Sequence, residues 1–151
     1  MKEEQLKQIL LFFFFVTLNE QRTKELAQKS WFWCLDKKKH NPNMNSEHIV
    51  LLSLHKIWKD LQKEPRTGLT SFSEEAGWMI PPNIRLEPWK EFQKTASSEE
   101  IFITVVALIL KFSESILTDV LGLSSGTIRY RLAKTSRKIG ISVDLHQGVQ
   151  I

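Results

Sequence analysis

Arg129, Tyr130, Arg131, Lys134, Arg137 and Lys138 bring five cations and one phenol together within ten residues, with no carboxylate among them. A guanidinium is a planar fork that grips two phosphate oxygens or a guanine edge at once, and an ammonium is a compact point charge for a phosphate. With Thr127 just before them, these residue types suit the surface of duplex DNA. In that reading Thr127, Arg129, Tyr130, Arg131 and Lys134 face the DNA, and Arg137 and Lys138 reach phosphates. Ile128, Leu132, Thr135 and Ile139 recur at helical spacing and predict one buried face for the same segment. Leu117, Val120 and Leu121 predict a short preceding helix. Gly122 supplies the left-handed conformation that ends it, and Ser124 or Ser125 can cap the next. The spacing therefore predicts a helix-turn-helix whose second helix is basic.

The string Ile116-Leu-Thr-Asp-Val-Leu-Gly-Leu-Ser-Ser-Gly-Thr-Ile-Arg-Tyr-Arg-Leu132 resembles the DNA-binding region 4 of bacterial sigma factors of the extracytoplasmic-function type. That family's pattern runs Glu-Ile-Ala-x-x-Leu-Gly-x-Ser-x-Gly-Thr-Val-x-x-Arg-Leu. The turn and second helix match closely, while Ile116 and Thr118 depart from the Glu and Ala of the first helix. Asn19-Glu-Gln-Arg-Thr-Lys-Glu-Leu-Ala-Gln-Lys-Ser-Trp31 is similar to the region 2 string Ala-Glu-Asp-Leu-Val-Gln-Glu-x-Phe, with Glu25 at the Asp and Gln28 retained. Lys24 and Lys29 weaken the acidic character of that face. Ile49-Val-Leu-Leu-Ser-Leu-His-Lys-Ile-Trp58 more faintly resembles the helix that reads the promoter in the family. The resemblance implies a degenerate sigma relative in which Glu25 and Gln28 are the remnant of a polymerase contact.

To position such a surface the chain needs helices. The spacing predicts them near residues 3–17, 19–37 and 46–63, with a polar loop from Lys37 to Asn45. Asn19 is a cap for the second, and Asn45 or Ser46 for the third. Residues 64–97 hold four prolines and no long periodic pattern, yet Phe72, Trp78, Met79, Ile80, Trp89 and Phe92 make them too apolar for a free linker. Pro88 is placed to open a short helix through Trp89 and Phe92. Ser97-Ser-Glu-Glu100 is a capping-box signature for a helix running to about Lys111. The tail from Ile141 alternates apolar and polar residues, a pattern of extended structure that a short terminal segment need not adopt. The expected fold class is all-α, with two small helical domains, the C-terminal one a helix-turn-helix of sigma region 4 type. Their bounds are 1–64, a Pro-containing linker 65–96, the helix-turn-helix domain 97–140 and a tail 141–151.

Ile9-Leu-Leu-Phe-Phe-Phe-Phe-Val16 is the most apolar run. It is too short to span a bilayer, which takes about 20 residues, and Thr17-Leu-Asn-Glu-Gln offers no small-residue cleavage site for a secretory signal. Phe12, Phe13, Phe14 and Phe15 cover more than one side of a short helix. Burial within the chain accounts for that, and so does a partner or self-association surface, since large exposed apolar patches mark interfaces. The second alternative predicts that this helix packs into another protein or a second copy.

The formal charge is +4 overall, but residues 1–66 carry +4, residues 67–122 carry −4 and residues 123–151 carry +4. A basic terminal unit behind an acidic middle fits one DNA-facing helix rather than a uniformly adhesive protein. Cys34 is the only cysteine. It allows neither an intrachain disulfide nor a cysteine-based zinc site, and it suits a reducing cytoplasm. His48 and His55 with Glu47 lack a third convergent ligand, so no metal is expected. With no phosphate loop, nucleophile elbow or metalloprotease motif, neither an enzyme nor a cofactor is expected. Two functions remain: a cytoplasmic sigma-like transcription factor binding promoter DNA and core RNA polymerase, or a sigma-derived interaction module serving as an adaptor for a regulatory protein partner.

Overall fold

The computed structural model describes residues 1–64 and 86–139; the tail and the stretch containing Phe72, Trp78, Met79 and Ile80 lie outside the described residues. Among the described residues there are seven α-helices and no strand. The chain divides into two compact units, with the described residues 1–64 in the first and 86–139 in the second.

In the first unit α1 (Glu3–Thr17), α2 (Glu20–His40) and α3 (Ser46–Gln62) each contact the other two. Leu18 ends α1 in the left-handed conformation, at φ 52°, and its N–H reaches Phe14 O at 2.7 Å. Asn19 then caps α2, its Oδ1 accepting from the Arg22 N–H at 2.7 Å. The helix runs on through Lys38, Lys39 and His40, beyond the expected loop boundary. Four basic residues in its last turn favour this, because cations stabilise the negative end of the helix dipole. Lys38 Nζ also donates to Met44 O at 2.6 Å.

The Phe12–Phe15 run is core, not the partner surface that one alternative predicted. All four rings are 0% exposed. Successive residues turn by about 100° around a helix axis, so four consecutive buried rings leave no side of that turn of α1 for solvent. Both α2 and α3 pack on α1, and Phe12 meets Trp58 of α3 edge-to-face at 6.2 Å. Between α2 and α3 the contact is made by small residues. Ala27, Ser30 and Cys34 recur at helical spacing on the buried face of α2. The Ser30 and Ser53 hydroxyls pair at 2.7 Å in that buried interface. Burial pushes the Cys34 thiol above its ordinary range, against smaller opposing effects of hydrogen bonds with Ser53 and Ser30, so it packs as a small hydrophobe.

In the second unit α4 (Leu86–Thr95) lies within the stretch read as linker from sequence. Trp89 and Phe92 are buried, with ring centroids 5.5 Å apart, and α4 contacts α7 (Ser125–Ile139). Pro88 falls within the first turn of α4, where its missing N–H costs nothing. The expected capping box starts α5 (Ser98–Thr104): Ser97 Oγ accepts from the Glu100 N–H at 3.2 Å and Glu100 Oε1 from the Ser97 N–H at 3.1 Å. The predicted continuation to Lys111 is not regular α-helix. Val105–Ile109 form a π-helical turn, closed by the Leu110 N–H on Val105 O at 2.9 Å, and Lys111 reverses the chain at φ 59°. The wider turn is accompanied by burial of Val105, Val106, Leu110 and Phe112. Ser113 caps α6 (Glu114–Leu121), and Gly122 ends it at φ 68°. A Cβ at Gly122 would meet nothing within 4 Å, so its role is conformational rather than steric.

Candidate nucleic-acid interface

Residues 122–124 join α6 to α7, and Ser124 is the cap, its Oγ accepting from the Thr127 N–H at 3.1 Å. Helix α7 contacts α4, α5 and α6, so among the described residues it is the element that the other helices of its unit share. Ile128, Thr135 and Ile139 are buried as the spacing predicts, and Leu132 is half-buried. On the opposite side Tyr130, Ala133, Lys134 and Arg137 are exposed, Tyr130 to 66%.

The seven residues expected to face DNA separate into distinct environments. Thr127 is half-buried, with its hydroxyl 2.9 Å from Ser124 Oγ, so it belongs to the cap. Arg129 Nε donates to Glu114 Oε2 at 3.1 Å, and Arg131 pairs with Glu99 at 3.0 Å. Lys138 Nζ donates to Glu100 Oε2 at 3.1 Å. That last carboxylate is the least exposed of the three, at 15%, and also serves the α5 capping box. Burial alone would raise the Glu100 carboxyl. The Ser97 N–H, Lys138 and the Ser97 hydroxyl outweigh it and hold the group below its usual range. Hydrogen bonds from Ser125 and then Arg129 likewise lower Glu114. Among the described residues Lys134 and Arg137 form no ion pair. The outward ridge is therefore Tyr130, Lys134 and Arg137, flanked by arginines already held by carboxylates.

The second predicted surface lies on α2. Glu25 and Gln28 are exposed, with Glu25 accepting from Gln21 at 3.3 Å and pairing with Arg22 at 3.4 Å. Arg22 also bonds Glu64 at 2.7 Å. One and two turns beyond Gln28, on the same side, stand Phe32 and Leu35, 58% and 41% exposed. Lys24 and Lys29 are exposed beside them. Phe12, Phe13, Phe14 and Phe15 lie in the core and contribute nothing to this surface.

The pairing of Glu99, Glu100 and Glu114 with the α7 cations, and the exposure of Phe32 and Leu35, were not among the expectations from sequence. The negative balance of residues 67–122, immediately before a basic helix, was the available signal for the first three. For Phe32 and Leu35 it was their position one and two turns after Gln28. His48 and His55 are half-buried on α3, and no group of three metal-ligating side chains occurs among the described residues. Among the same residues no helix is long and apolar enough to cross a membrane. No protein-family model, curated protein or solved structure matches the chain.

Proposed function

We propose that the chain is a sigma-like transcription factor, with α6 and α7 as a helix-turn-helix of region 4 type that docks α7 on duplex promoter DNA. The observation that carries this reading is the exposed ridge of Tyr130, Lys134 and Arg137 directly opposite the buried Ile128–Ile139 face. Its cations have no carboxylate partner among the described residues, and a phosphate backbone would supply one. The outer face of α2, with Glu25 and Gln28, is the contact for core RNA polymerase, and the compartment this requires is the cytoplasm. Co-purification tests the polymerase half. Tagged wild-type chain recovers core polymerase from a bacterial lysate, and Lys29→Glu, which restores an acidic face, recovers more. Failure of both forms contradicts polymerase binding.

One observation favours a second reading, the sigma-derived adaptor. Phe32 and Leu35 present apolar surface beside Gln28, and Lys24 and Lys29 replace acidic character there. In that case Phe32→Ser abolishes capture of a regulatory protein while core polymerase is never recovered.

A further inference from the structure

Resting on the nucleic-acid reading of α7, we propose that Glu99 and Glu114 act as internal stand-ins for phosphate. They occupy Arg131 and Arg129 and so keep those arginines from contributing to binding of non-specific duplex. Three distances separate the basic helix into parts. Glu100–Lys138, at 3.1 Å, involves a carboxylate only 15% exposed that also completes a capping box, so it is a structural pin between α5 and α7. Glu114–Arg129 and Glu99–Arg131, at 3.1 and 3.0 Å, lie at the surface on the two flanks of the ridge. In both, the arginine belongs to α7 and the carboxylate to a different helix, α6 or α5. A carboxylate offers a guanidinium the same paired oxygens as a phosphate, so the two compete for one fork. Lys134 and Arg137, without such competitors, carry the non-specific contact. Glu99 and Glu114 are thus positioning residues: they lower general affinity for nucleic acid and leave Tyr130, Lys134 and Arg137 to meet DNA first.

The test is a fluorescence-anisotropy titration of a labelled random-sequence duplex with the full chain at several salt concentrations. E99Q/E114Q is compared with E3Q/E4Q, which makes the same change in net charge at the start of α1. The proposal expects E99Q/E114Q to bind about tenfold more tightly than the control at low salt, with a log–log salt slope steeper by about 0.9 for each released arginine. R129Q/R131Q should lower wild-type affinity by less than K134Q/R137Q does, and should erase the whole gain in the E99Q/E114Q background. Circular dichroism checks folding. E99Q alone decides the matter if loss of the Glu114–Ser125 hydrogen bond disturbs the double variant. Equal affinity of E99Q/E114Q and its control overturns the proposal. So does a loss on R129Q/R131Q as large as that on K134Q/R137Q. In either case the nucleic-acid reading stands, provided wild type binds and K134Q/R137Q does not. If no form binds, the nucleic-acid reading falls and this inference falls with it.

Discussion

In the first unit a buried hydroxyl pair joins α2 to α3, and in the second ion pairs at the surface join α7 to α5 and α6. Ser30 and Ser53 join hydroxyls in a buried helix interface, in a unit whose core includes four phenylalanines. Arg129, Arg131 and Lys138 instead pair with carboxylates from α6 and α5 around the edge of a smaller apolar core. A buried hydroxyl bridge fixes how two helices approach, because leaving either partner unsatisfied is costly. Exposed ion pairs add little stability, but they set the charge a helix shows to solution. Among the described residues the first unit exposes large apolar side chains at Phe32 and Leu35, and the second carries the cationic ridge of α7.

The largest effect is expected at Phe12. Phe12→Ala should destabilise the first unit by about 3–5 kcal/mol, read by denaturant titration with Trp fluorescence. A folded Phe12→Ala chain of unchanged stability that has lost a partner would return the ring to the surface. The hydroxyl bridge comes next. Ser53→Ala should cost about 1–3 kcal/mol, because it strands the Ser30 hydroxyl, and adding Ser30→Ala should recover part of the loss. Strict additivity of the two changes would mean that the pair is not coupled.

Acid separates the units by a smaller effect. Burial, with Lys59 nearby, lowers the pKa of His55 in the first unit. The unfolded chain therefore takes up the proton more readily, and stability present above the ordinary histidine range falls as pH drops through it. In the second unit Glu100 and Glu114 are held low. Their contribution is complete above the ordinary carboxylate range and is lost only as pH falls through it. Circular dichroism with residue-resolved NMR should show the first unit weakening at higher pH than the second. His55→Asn should remove the earlier loss, and an unchanged profile would discount His55.

Much of the helical framework was legible because caps are local. Asn19, Asn45, Ser97 and Gly122 mark their boundaries through side-chain or conformational properties that need no distant partner. The buried face of α7 was legible for the same reason, since Ile128, Thr135 and Ile139 follow helical spacing. What escaped depends on neighbours remote in sequence. Four successive phenylalanines define no face of their own, so only the positions of α2 and α3 reveal α1 as core. The partners of Arg131 and Lys138 lie on α5, across a π-helical turn whose wider winding leaves no signature in the apolar pattern. Phe32 and Leu35 emerge as a window only once Ala27, Ser30 and Cys34 are seen to take the buried side of α2.

On the proposed reading, the outward ridge of α7 is the surface that meets duplex DNA. Chemical-shift mapping of the isotopically labelled full chain, titrated with a short unlabelled duplex at low salt, tests it most directly. The largest changes are expected at Tyr130, Lys134 and Arg137, smaller ones at Arg129 and Arg131, and little change at Lys138, Phe32 or Leu35. Changes concentrated on α2, or no change at duplex concentrations well above those of the chain, would contradict it.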